Sequence, residues 1–234
     1  MVWHHFRVDE PTERPDGKEA DPKDLPSLER GRDLSRILAF TDGVFAIAIT
    51  LLVLQIEVPA GLASNSDFLN ELDDMLPDLF AFAISFVVIG IYWINHHRLM
   101  RMVSEYDHSL MQVTMLYLFW VVLLPFSSQL IGEYASDVTL STVFYIVNLA
   151  LVALSQALMV RIIITHKLGE KKWDWQLEST YKSCLYMAGV FVLTAPLGLL
   201  IGGWTPLLWL VLFRLDPFER ERVKLDRERT RRQS

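Results

Sequence analysis

Asp42 stands inside a stretch, Ile37 to Ile56, in which it is the one charged residue and Gln55 the one amide. An ionisable side chain there is expensive to desolvate, so it marks either a functional group or a structural hydrogen bond near an interface. Thr50 adds a hydroxyl to the same stretch. His96 and His97, with His108 downstream, offer imidazoles for metal ligation or proton transfer. Neighbouring residues on a helix point about 100° apart, so adjacent histidines do not share one ion without distortion. Hydrogen bonding at an interface is the better reading of the pair, and no metal site is expected. The single cysteine, Cys184, excludes an intrachain disulfide and any Cys-rich metal centre. There is no GxGxxG or Walker-type sequence, so no nucleotide cofactor is expected, nor any other cofactor.

The elements that carry these residues are legible from hydropathy. Of 234 residues, 52% are hydrophobic, and the charges are segregated. About twenty apolar residues at about 1.5 Å each cross a hydrocarbon core of roughly 30 Å. Ile37 to Ile56 is one such run. Leu79 to Ile94, Leu110 to Ile131, Leu140 to Val160 and Cys184 to Ile201 follow, and a shorter run, Trp204 to Leu215, closes the series. A soluble protein can bury one run of this kind as a core helix; five or six are membrane spans. Gly198, Gly202, Gly203 and Pro206 break what would otherwise be one very long final helix. The expectation is an all-α integral membrane bundle of six transmembrane helices in residues 34–215. A disordered cytoplasmic arm precedes it in 1–33, and a charged cytoplasmic tail follows in 216–234. Met1 to Asp33 has no apolar core of the kind a signal peptide needs.

Charge fixes the expected orientation. Of the 22 Lys and Arg, seven lie in Met1 to Arg36, two are Arg98 and Arg101, five fall between Arg161 and Lys182, and eight run from Arg214 onward. Cytoplasmic segments retain Lys and Arg. Six spans with both termini inside a cell membrane put every one of them on the cytoplasmic side. The opposite side is acidic: Glu57, Asp67, Glu71, Asp73, Asp74 and Asp78 lie between the first two spans, Glu133 and Asp137 in the next outer loop. A ring of such loops would concentrate cations at a pore mouth, although a charge run is more often a solvated face.

On a helix, Phe40, Ile47, Leu51 and Leu54 fall on one narrow stripe with Thr50 on its flank, at about 100° per residue. Asp42 lies about 140° from Ile47 on the same wheel. If the stripe faces a symmetry axis, Asp42 points back into its own subunit and ties the helix to its neighbours.

The string Arg36, Phe40-Thr41-Asp42 and Gly43 to Leu54 resembles the first-helix signature of the lysosomal and prokaryotic transmembrane protein 175 family of potassium channels. That signature is an Arg, three residues, Phe-Ser-Asp and an apolar GVFAIAITLLVL run. Thr41 in place of Ser keeps the hydroxyl and adds a methyl group. Trp93, His96 and His97 resemble the Trp-x-x-His-His end of the family's second helix. Leu124 to Ser127, Gly132 to Tyr134 and Asn148 match positions on its third and fourth.

The resemblance implies a homotetramer whose four first helices line a pore for potassium and other monovalent cations, without a carbonyl filter. It assigns Ile47, Leu51 and Leu54 to a hydrophobic constriction and Thr50 to the hydroxyl position tied to potassium preference. Arg36, Phe40, Thr41, Asp42, Trp93, His96 and His97 match a polar network behind the pore helix. The expected partners are these cations, the lipid bilayer and further copies of the chain, with no nucleic acid.

Two rival readings compete with a channel. Asp42 to Ala46 is similar to the opening of the CDP-alcohol phosphatidyltransferase motif, but Ala39 and Ile47 stand where that motif needs Asp and Arg. His97 has Arg101 and Met102, not a carboxylate, at acyltransferase spacing. An enzyme is therefore not expected. A secondary transporter would show midplane polar residues and repeated halves, neither of which is clear here. Such a transporter, or a proton or cation leak on the same scaffold, is the alternative.

Overall fold

The computed structural model describes residues 25–56, 64–134 and 139–201. Among them are five α-helices: α1 (Leu25–Val53), α2 (Asn65–Met100), α3 (His108–Tyr134), α4 (Thr139–Thr165) and α5 (Asp174–Ile201). A 3-10 turn at Lys171–Trp173 leads into α5. Long runs of Leu, Ile, Val, Ala and Phe can form helices in hydrocarbon because a helix satisfies its interior backbone groups within one segment. α1 to α4 each contain a stretch long and apolar enough to cross a membrane: Leu34–Val53, Asp78–Met100, His108–Ile131 and Leu140–Thr165. The run expected as a fifth span, Cys184 to Ile201, is the C-terminal part of α5. The sixth run, the tail and residues 1–24 of the expected arm lie outside the described residues.

The helices outrun the apolar runs that predict them. α1 is helical from Leu25, α2 from Asn65 and α5 from Asp174. The acidic residues from Asp67 to Asp78, expected in a loop, therefore fall on the opening turns of α2. His97 and Arg98 in the last turn of α2 suit the negative end of its dipole. Pro125 and Pro196 sit inside α3 and α5 without ending them. Each withholds one backbone N–H from its own ladder, a loss that neighbouring groups in a membrane bundle commonly absorb.

α4 is the heart of the bundle, packed along α3 and α5, while α1 rests on α2 and α3 at the edge. Within their spanning windows, 67% of α4 is buried and only 22% of α1, the lowest share of the four. The core runs through Phe45, Ala48 and Leu52 of α1, Ile89 and Tyr92 of α2, Tyr117 and Val121 of α3, Leu149 and Val152 of α4, and Phe191 of α5.

Polar side chains are stitched into this core. Ser85 Oγ lies 2.6 Å from Ser128 Oγ and 3.2 Å from the Tyr145 hydroxyl, joining α2, α3 and α4. Tyr92 donates to the Leu149 carbonyl, Tyr117 to the Tyr92 carbonyl, and Asn148 Nδ2 to Ser127 Oγ. In a low dielectric each satisfied pair fixes helix register, because the alternative is a stranded polar group.

Candidate functional site

The face of α1 away from the core is apolar. Phe40, Ile47, Leu51 and Leu54 are 53%, 61%, 39% and 77% exposed, and Gly43, Ala46 and Thr50 share that side. Opposite them Thr41, Phe45, Ala48 and Leu52 are buried at i, i+4, i+7 and i+11 spacing, the pattern of a helix seated by one stripe. Ile47, Leu51 and Leu54 rise along the exposed side over about 10 Å. The Thr50 hydroxyl donates to the Ile47 carbonyl at 2.9 Å. Its proton is thereby engaged within the helix.

Asp42 lies on the flank between the two faces and is half-buried. Its Oδ1 accepts a hydrogen bond from Trp93 Nε1 on α2 at 2.9 Å. The Trp93 indole stacks on the His97 imidazole, with ring centroids 5.8 Å apart at 29°. One turn of chemistry thus joins Asp42, Trp93 and His97 and pins α1 to α2.

The other residues assigned to a network by resemblance are placed differently. His96 is 1% exposed, stacked on Tyr117 at 5.3 Å and 15°, with Phe45 at 6.1 Å. Neither of its ring nitrogens has a hydrogen-bond partner among the described residues. Thr41 is fully buried, but its hydroxyl donates to its own helix at Ile37 O, 2.8 Å away. Phe40 lies on the exposed face with Ile47, and Arg36 is exposed with no hydrogen bond to the cluster. The structure therefore brings Asp42, Trp93 and His97 together, the first pair by a hydrogen bond and the second by stacking, and leaves His96, Thr41, Phe40 and Arg36 out of that cluster.

No group of three His, Cys, Asp or Glu side chains suitable for a metal occurs among the described residues. His108 is instead 3.0 Å from Gln112 of its own helix. Two contacts had no sequence signal strong enough to find them. One is the Ser85–Ser128–Tyr145 cluster, whose members are 43 and 60 residues apart. The other is the contact between Asp107 and His166, 59 residues apart. A weak signal for the polar core did exist. Ser141, Asn148 and Ser155 repeat every seven residues along α4, and all three are buried.

Comparison with known proteins places this geometry. Residues 36–125 match the family model described as endosomal/lysosomal potassium channel TMEM175. A Streptomyces collinus protein named as a potassium channel is 37% identical over 144 residues, covering 59% of this chain and 69% of its own length. A chicken (Gallus gallus) protein named as the endosomal/lysosomal proton channel TMEM175 is 36% identical over 107 residues, covering 43% of this chain and 21% of its own. The crystal structure of a Chamaesiphon minutus homolog of the lysosomal potassium-selective channel TMEM175 superimposes with a TM-score of 0.67 at 27% identity. It spans 79% of this chain and 97% of that one. These relatives are ion channels, not enzymes.

Proposed function

Because this chain belongs to the TMEM175 family of ion channels, we propose that it is a potassium-preferring channel whose pore is lined by the exposed face of α1. The observation that carries the reading is the placement of the family string. The helix bearing it is the least buried of the four spanning helices, and its apolar stripe is exposed among the described residues. Four copies around an axis would turn that stripe inward, and six spans per subunit with both termini in the cytoplasm accord with the Lys and Arg distribution. Ile47, Leu51 and Leu54 then form stacked apolar rings.

Such rings offer an ion no ligands. Where the passage is narrower than a hydrated cation, the ion must shed water, or the segment dewets and closes. Potassium holds its shell less tightly than sodium, so the barrier favours potassium, and four Thr50 oxygens return part of the lost coordination. Asp42, held to Trp93 behind the pore face, anchors α1 and does not touch the ion. Liposome flux with potassium, sodium and an impermeant cation tests the proposal. Potassium flux exceeding sodium flux, and rising when Ile47 becomes Asn, supports it; a saturating, coupled flux contradicts it.

A second reading has one specific support: vertebrate relatives carry the name proton channel. Proton conduction on the same scaffold would appear as acidification of potassium-free liposomes under an imposed voltage.

A further inference from the structure

Two turns on one face of the bundle are joined across a long sequence gap. Residues 101–107 link α2 to α3, and 166–173 link α4 to α5. The N–H groups of Ser104 and Glu105 both donate to the Leu168 carbonyl, at 2.8 and 3.2 Å, and the Ser104 hydroxyl adds a third bond at 2.9 Å. In return the Glu170 N–H reaches Met102 O at 3.3 Å, and Val103 and Gly169 form an antiparallel bridge. Lys167, at a φ of 55°, turns the chain out of α4 to make this possible. At the edge of the bridge, His166 Nδ1 lies 2.5 Å from Asp107 Oδ2. The other oxygen of that carboxylate accepts the Leu110 N–H at 2.7 Å and so caps α3. One side chain thus starts α3 and holds the end of α4.

Other charged and titratable groups lie along the two turns and the helix ends beside them. Arg98 and Arg101 end α2, and Glu105, Tyr106 and His108 share the first turn. Lys167, Glu170, Lys171 and Lys172 share the second, with Asp174 and Glu178 opening α5. Lys172 is taken up by Glu170 and lies over the Trp173 ring, the Tyr106 hydroxyl donates to Thr114, and His108 contacts Gln112. His166 is the group that reaches the Asp107 carboxylate.

We propose that the Asp107–His166 contact is a proton-operated clasp on the face that the basic residues assign to the cytoplasm. It is closed while the imidazole carries its proton and looser once that proton is lost, and it makes ion flux sensitive to pH on that side. The regulatory part rests on the channel reading above; the clasp itself does not. Histidine is the side chain whose charge changes between pH 5 and 8, and a charge-assisted bond is about twice as strong as a neutral one. Slight burial raises the Asp107 carboxyl, but the bonds from His166 and the Leu110 N–H outweigh it and hold the group below its usual range. The carboxylate is therefore ionised at neutral pH. The backbone bonds across the turns are the readout, since their protection depends on the clasp.

Amide hydrogen exchange at pH 6 and pH 8, corrected for the intrinsic pH dependence of exchange, decides the matter in peptides covering 102–106 and 168–172. Both partners are partly solvated, so the expected loss of protection at pH 8 is roughly three- to tenfold in the parent. D107N, which keeps the cap because Asn serves as well as Asp, and H166Q should show low protection at both pH values. Peptides from Leu118 to Leu124 of α3 should be unchanged in every case. Equal protection at both pH values in the parent, or parent-like protection in either variant, overturns the clasp. Potassium flux, with pH stepped on each side of the membrane in turn, should respond to the cytoplasmic side in the parent and not in D107N. Flux insensitive to that step, with the exchange result intact, overturns the regulatory part. A parent that conducts no potassium defeats the channel reading instead, while the exchange result still decides the clasp.

Discussion

Removing the Asp42 carboxylate should loosen the seat of α1 without changing which ion passes. Asp42 accepts one hydrogen bond, from Trp93 Nε1 at 2.9 Å, and lies on the flank of α1 away from Ile47. Hydrogen bonds to a charged group contribute about 1.5–3 kcal/mol, and exposed ones fall at or below the low end. Trp93 is 38% exposed within one subunit, so the pair should be worth about 1–1.5 kcal/mol. A cycle of Asp42→Ala, Trp93→Phe and the double variant isolates it, since Phe keeps most of the stacking surface over His97 and loses only the donor. Unfolding in mixed detergent gives the stabilities, and liposome flux gives the potassium-to-sodium ratio. The expected coupling is about 1 kcal/mol, with the flux ratio of intact assemblies unchanged. Zero coupling would refute the anchoring role. A shifted ratio in stable Asp42→Ala assemblies would place Asp42 on the ion path and the helix face the other way round.

Ile47→Asn or Ile47→Ala should raise cation flux per assembly by wetting or widening the neck, with the fold intact because Ile47 is 61% exposed and its truncation removes little core packing. Ile49→Ala should instead lower stability by about 2 kcal/mol or less without raising flux, since Ile49 packs partly buried against the core; flux measured on matched assemblies separates the two. Asn148→Leu should cost less than about 1 kcal/mol, because Asn148 Oδ1 has no partner among the described residues and the change removes it. Ser127→Ala should cost about 1–3 kcal/mol by stranding the Asn148 amide, and detergent unfolding would show the order reversed if a buried water holds Oδ1. Asp107 is held below its usual range, so its stabilising contribution is present above the unfolded carboxylate range and lost as pH falls through its folded value. The parent should accordingly lose more stability than Asp107→Asn between about pH 5 and pH 3, as a detergent melt would show.

Of the six spans the apolar runs predicted, four stand among the described residues as helices able to cross a membrane, α1 to α4, and the Arg36-to-Leu54 string pointed to the family that the comparisons then showed. The wheel also placed Asp42 away from the stripe of Ile47, and the coordinates put Trp93 beside it. Helix ends were not legible in this way. Hydropathy marks where a chain leaves hydrocarbon, whereas the backbone of α2 continues fourteen residues further, from Leu79 back to Asn65, through acidic residues that water accepts in a helix as readily as in a loop. Side-chain partners were hidden for a different reason. Asp42 and Trp93, Ser85 and Tyr145, and Asp107 and His166 are 51, 60 and 59 residues apart, and only the packing of helices brings each pair together. His96 shows the same limit: a motif named it beside His97, yet the first packs between Phe45 and Tyr117 and the second under Trp93, because adjacent helical residues face different neighbours.

Purified protein reconstituted into liposomes, with potassium replaced in turn by sodium and by an impermeant cation, tests the central claim most directly. The account predicts a passive, voltage-driven flux that scales with the gradient, is larger for potassium than for sodium, and rises in Ile47→Asn but not in Ile49→Asn. A flux that saturates with substrate, one indifferent to the exchange of sodium for potassium, or one raised by Ile49→Asn and not by Ile47→Asn would contradict it.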